Sequence, residues 1–148
     1  MTDETTITLT LADLRALIRE ILSAVHCSAV GIVESFDPQT QTVTVRPAFR
    51  SRSKDGADIP PPLIRDVPVY FPGSRVAGIT YPIYPGDECL LIFNDFCIDG
   101  WFETGTATQP PSGRMHDYSD AFAFVGFRSK PNVLQDFPDQ PSFFGGTP

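Results

Sequence analysis

The sequence predicts a mainly β chain, a small five-stranded barrel of the OB type with a short N-terminal α-helix and an irregular C-terminal tail. Three observations carry this reading. Fifteen prolines and 11 glycines cut the 148 residues into short segments, as in an all-β fold with many turns. From Ser28 onward the apolar residues recur with a period of two, the mark of strands with one buried face. Five or so such segments lie between Ser28 and Lys130, which fits the strand count of an OB barrel; a small β-sandwich is the structural alternative.

The elements follow in order. Residues 1–27 read as a polar arm and an amphipathic helix. In "TLADLRALIREILSAVHC", Thr10 and Asp13 form a start of the capping-box type, with Asp in place of Glu. Leu11, Leu14, Ile18, Ile21 and Val25 are spaced 3-4-3-4, an a/d seam. Leu17 and Leu22 widen it, and Arg15, Arg19 and Glu20 take the other face. The run is too short for a stable isolated coiled coil. Two readings therefore stand: a helix packed on its own domain, or a self-associating helix helped by that domain. Isoleucine at both an a and a d position favours three or four strands over two. His26 is expected to end the helix, where an imidazole suits the dipole.

Residues 28–130 read as the barrel. "SAVGIVESFD" and "TVTVRPAF" flank the turn "DPQTQ", a β-hairpin. "RSRSKDGADIPPP" reads as a polar loop, followed by the strand-like "LIRDVPVYFPG" and the punctuated connector "SRVAGITYPIYPGD". "ECLLIFND" and "DGWFETG" read as a second strand pair, with Asp95 and Asp99 bracketing the turn and Trp101 and Phe102 opening the return strand. A loop, "TATQPPSGRMHDYSD", leads to the strand "AFAFVGFR". Residues 131–148 are a Pro/Gly-rich tail without period. Its Phe137, Phe143 and Phe144 are candidates for docking on a partner or a neighbouring subunit.

Composition narrows the function. Apolar residues make up 41%, enough for one modest core. The net charge is −7 and the pI about 4.6, which makes nucleic acid and anionic membrane poor default partners. The basic run Arg46, Arg50, Arg52 and Lys54 around Phe49 resembles the lining of a single-strand groove. Asp55 and Asp58 follow at once, so a solvated strand end and loop is the preferred account. No apolar run approaches the ~20 residues of a membrane-spanning helix. The first residues have no basic or apolar leader pattern, so no secretory signal is expected. Cys27, Cys89 and Cys97 have neither disulfide nor zinc spacing. Cys89 opens "CLLIF" and reads as a buried small hydrophobe. His116, Asp117 and Ser119 suggest a triad, but adjacency in one loop does not make members converge, and G-x-S-x-G is absent. No catalytic residue, metal ligand or cofactor is expected.

Four blocks together resemble a known family: "VGIVESFDPQTQTVTVRP", "PPLIRDVPVYFPGS", "YPIYPGDECLLIFNDFCIDGW" and "RMHDYSDAFAFVGF". They are similar to the N-terminal OB-fold domain of the phage baseplate central-spike proteins, the membrane-puncturing device of contractile-tailed phages. The residues carrying the resemblance include Gly86, Asp87, Asp99, Trp101, Arg114, His116, Asp117, Ser119 and Asp120, to which it assigns structural roles. It implies a homotrimer whose helices suit a three-fold axis. It implies a collar below the hub and tail tube, a virion protein made in the host cytoplasm, not an enzyme, and only transient contact with the host membrane. Members of that family continue into a β-helix whose tip holds iron through His-x-His. Here only 18 residues follow Lys130 and no His-x-His occurs, so tip iron is not expected. The sequence suggests a spike without its own long tip, with a separate tip protein as a further candidate partner. The runner-up reading is an OB binding module for single-stranded nucleic acid or a protein.

Overall fold

The computed structural model describes residues 8–143. Helix α1 spans Leu11–Ser23, and the expected capping box is present. Thr10 Oγ1 accepts the Asp13 N–H at 3.1 Å, and Asp13 Oδ2 accepts the Thr10 N–H at 3.0 Å. The Thr10 hydroxyl also donates to Asp13 Oδ2 at 2.7 Å, and this bond first, then the one from the Thr10 N–H, holds the Asp13 carboxyl below its ordinary pKa. No residue of α1 is buried. The helix therefore does not pack on its own barrel, and its whole apolar stripe stays open. His26 does not end the helix as expected. Ala24 caps it by donating its N–H to Ile21, and His26 lies beyond, stacked on Tyr118 with centroids 3.9 Å apart.

The strands are β1 (Ser28–Asp37), β2 (Thr42–Pro47), β3 (Ser51–Arg52), β4 (Asp58–Ile59), β5 (Ile64–Pro68), β6 (Glu88–Phe93) and β7 (Ala121–Phe127). Five of them form one curled antiparallel sheet in the order β5-β2-β1-β6-β7. The turn at Asp37–Gln41 works as expected: Asp37 Oδ1 accepts the Gln39 N–H at 2.9 Å, and Gln41 takes a positive φ of 56°. A bulge between Val33 and Ser35 bends β1. That curl brings the two edges together. Val69, just past β5, bridges in parallel to Ala123 of β7, and the Tyr70 N–H reaches the Ala123 carbonyl at 3.0 Å. The result is a partly closed barrel, consistent with the expected class.

The inward face supplies one core: Val33, Val43, Val45, Ile64, Val67, Ile83, Cys89, Leu91, Phe93, Ala121 and Ala123. Cys89 is wholly buried, as its place in "CLLIF" suggested. The segment 51–59, expected to be a loop, carries the two-stranded ribbon β3–β4 around a turn with Gly56 at φ 82°.

One strand assignment is corrected. "DGWFETG" is not a return strand but a helix, α2 (Asp99–Thr104). Trp and Phe favour strands, yet the ends of this segment favour a helix. Asp99 stands in the first turn, and Gly105 closes the helix at φ 68° with its N–H on the Trp101 carbonyl at 2.7 Å. The true partner of β6 is β7, with Leu91 opposite Ala123 and Ile92 opposite Phe122.

Candidate functional site

The densest polar construction lies in the excursion between β6 and β7. Asp120 immediately precedes β7 and is fully buried. A carboxylate there needs a charged partner and filled hydrogen-bond sites. Arg114 supplies the charge: its Nε meets Asp120 Oδ2 at 3.1 Å and its Nη2 meets Oδ1 at 2.9 Å. The Ile98 N–H gives Asp120 Oδ1 a third bond at 3.0 Å. The same Nη2 lies 3.0 Å from Asp99 Oδ2 and 3.1 Å from Cys97 Sγ. Hydrogen bonds from Asp120 first, and then from Asp99, raise the already high pKa of Arg114 further. One guanidinium thus ties α2, the Phe96–Ile98 stretch and the start of β7 into a single body.

The ligand atoms of Cys97, Asp99 and Asp120 lie within 4.8 Å of one another, the geometry of a possible cation site. The cation they meet is Arg114 Nη2, within hydrogen-bond range of all three. This cluster is an ion-pair hub, and it explains why Cys97 is buried.

The remaining motif residues serve turns and packing. Gly86 takes φ 96°, which suits glycine. Its N–H reaches the Val33 carbonyl, and the Val33 N–H reaches the Asp87 carbonyl, both at 2.8 Å. Asp87 Oδ2 accepts the Tyr84 N–H at 2.9 Å. The turn is thereby fastened to the β1 bulge. Trp101 leans on Phe122, with ring centroids 5.6 Å apart.

His116, Asp117 and Ser119 form the loop before β7 and no triad. Asp117 Oδ1 accepts the Ser119 N–H at 2.8 Å, an Asx turn. That bond holds the Asp117 carboxyl below its usual range. Its folded pKa lies below the unfolded value, so its stabilisation is full above about pH 4 and fades as the pH falls further. His116 sits at φ 49°, with its Nε2 3.8 Å from Asp95 Oδ1 and its Nδ1 buried without a hydrogen-bond partner.

The basic run is spread over charge pairs. Arg46 meets Glu34 at 2.8 Å and Arg50 meets Asp58 at 2.6 Å. Arg52 and Lys54 lie on the β3–β4 ribbon and its turn, so the solvated-loop account describes this segment. Of the expected interface residues, Leu11, Leu14, Ile18, Ile21 and Val25 are all exposed. Of the tail candidates, Phe137 and Phe143 are exposed, and Phe144 lies outside the described residues. Among the described residues no helix is long and apolar enough to cross a membrane.

The three thiols should differ in reactivity. Cys27 is exposed while Cys89 and Cys97 are buried. Burial pushes the Cys89 thiol up to about 11, far from the thiolate form that reacts. Ellman's reagent at pH 8 is expected to titrate one thiol per native chain and three after denaturation. Two or more fast native thiols would contradict this burial.

Sequence reasoning placed Asp99 beside a turn and reached Arg114 and Asp120 only through the family resemblance. Their spacing does not announce that two acids 21 positions apart share one arginine. With the geometry in place, comparison with known families gives a match: the family model described as phage protein Gp138 N-terminal domain covers residues 30–126. A comparison with curated proteins finds no match.

Proposed function

The chain belongs to the phage protein Gp138 N-terminal domain family, and from that premise we propose that it is a structural protein of the virion. In this reading it is an OB-type collar of the central spike at the tail baseplate. It acts as a homotrimer that caps the tail tube below the hub and shares in piercing the host envelope. It is not an enzyme and needs no cofactor. The hub around Arg114 makes each collar unit rigid enough to transmit load. The exposed Phe137 and Phe143 give the tail a docking surface for a tip protein or a neighbouring subunit.

The observation that carries the reading is α1. A helix with six large apolar residues on one side and none of its residues buried has no reason to exist in a lone subunit. Association between copies covers it. Two measurements test the proposal. Light scattering behind size exclusion should give three times the chain mass of 16.3 kDa. Gold-labelled antibody against the chain should mark the distal end of the tail in purified virions. A monomer at all concentrations overturns the trimeric collar, and virions without label overturn the baseplate assignment. The binding-module reading is less well supported, because Arg46 and Arg50 are engaged by acids of the same chain.

A further inference from the structure

The exterior of the curled sheet is of two kinds. Outward on β2 and β5 stand Thr44, Arg46, Arg65 and Asp66, joined by Glu34 of β1, whose carboxylate pairs with Arg46. This is the ordinary apolar-in, polar-out pattern. On the start of β1 and on β6 and β7 the pattern fails. Val30 and Ile32, Leu90 and Ile92, and Phe122 and Phe124 all point outward, alternating with the core residues Val33, Cys89, Leu91, Ala121 and Ala123. They are neighbours across the ladders: Val30 faces Leu90, Leu90 faces Phe124, and Ile92 faces Phe122. Val30, Ile32 and Ile92 are 56%, 41% and 40% exposed. One half of a single sheet has a solvent face, and the other half has a second apolar face, which the chain itself covers only along β7, where Trp101 packs on Phe122 and Tyr70 on Phe124 with centroids 5.6 and 5.1 Å apart.

We infer that this outer face of β1, β6 and β7 is the seat of α1 from a second copy of the chain. The inference rests on the self-association proposed above and supplies its geometry. Four observations favour this occupant. The dimensions agree: 13 helical residues make a rod about 20 Å long and about 10 Å across. Three strands span about 10 Å between outer axes, and six residues of strand run about 20 Å. The stripe is broad. From Leu17 round to Leu22 it covers an arc of about 140° at 100° per residue, wider than a strict a/d seam and suited to lying on a sheet. Charge is compatible, since Asp13, Arg15, Arg19 and Glu20 sum to zero on the helix, and the one charge among the outward residues of this half of the sheet, Glu88 opposite Ile32, accepts the Ser129 N–H at 2.7 Å. Finally, the helix does not reach this face within its own chain. The link to β1 is held by the His26–Tyr118 stack and by the Phe93 N–H on the Cys27 carbonyl at 3.0 Å. Helix from one copy on face of the next is a heterologous contact, the kind that forms a ring when the rotation between copies closes, as the collar proposed above requires.

The test uses full-length chains and light scattering. The wild type should be oligomeric. Ile21→Lys on the helix, and Ile92→Lys or Val30→Lys on the face, should each give monomers with the wild-type circular dichroism spectrum. Mixing Ile21→Lys with Ile92→Lys should restore a species of twice 16.3 kDa, because one partner keeps its face and the other its helix. Should Ile92→Lys prove unable to fold, Val30→Lys, at the more exposed position, takes its place in the mixture. If both face variants stay oligomeric while Ile21→Lys dissociates, the helices meet each other instead. The face inference is then overturned and the collar reading survives. A monomeric wild type overturns both.

Discussion

Arg114→Leu is expected to lower the stability of the barrel by about 3–5 kcal/mol, a fall in melting temperature of about 10 °C. The reason is asymmetry. Asp120 is wholly buried whereas the Arg114 side chain is 29% exposed. Removing the arginine strands a buried carboxylate, and that desolvation is far costlier than the loss of a surface ion pair. Lysine is a poor substitute, because a single ammonium cannot bond both Asp120 oxygens and Asp99 together. A second change isolates the cause. Asp120→Asn keeps an oxygen for the Ile98 N–H but removes the charge. In the Arg114→Leu background it should recover stability, although alone it lowers it. Urea unfolding of the four chains gives the coupling. If Asp120→Asn makes the Arg114→Leu chain worse, the buried charge is not what the arginine serves. The effect is local first: α2 and the Phe96–Ile98 stretch should lose amide protection before the β1–β2 hairpin.

Legibility in the sequence divides along the same line. Whatever depends on neighbours in the chain could be read. The Thr10/Asp13 box, the Asp37–Gln41 hairpin turn and the buried "CLLIF" strand are local patterns with local causes, and the structure has them. Two kinds of feature escaped. Segment 99–104 reads as a strand because Trp101 and Phe102 favour one, while the helix depends on its two ends, Asp99 and Gly105. The Arg114 hub escaped because hydrogen bonds among residues 97, 99, 114 and 120 depend on how a long excursion closes. The double-sided apolar character of β6 and β7 was visible as unbroken runs in "CLLIF" and "FAFVGF". The sequence does not say whether a second apolar face is covered by the same chain. Only the absence of any buried residue on α1 makes the question one of assembly.

Gly31→Val is expected to cost about 3 kcal/mol, the upper end of the usual range for overpacking. Gly31 lies in β1 opposite Pro47 of β2 and Cys89 of β6. A side chain there would point into the buried core. A Cβ would overlap Val45 Cγ1 and sit 3.2 Å from both Cys89 Sγ and Leu91 Cδ1. All three neighbours are fully buried, so none can move into solvent to make room. Space rather than backbone conformation demands glycine here, and that makes the effect reversible by subtraction. Val45→Ala alone should lose about 2 kcal/mol through the lost methyl groups and the cavity they leave. Combined with Gly31→Ala, the two changes should cost less than their sum, because the new methyl enters the space that Val45 vacates. A coupling of 0.5 kcal/mol or more is expected from urea unfolding of the single and double variants. Strict additivity would mean that the barrel relieves the overlap by shifting β1 as a whole. The curl of the sheet would then not depend on the close approach of β1, β2 and β6 at this point.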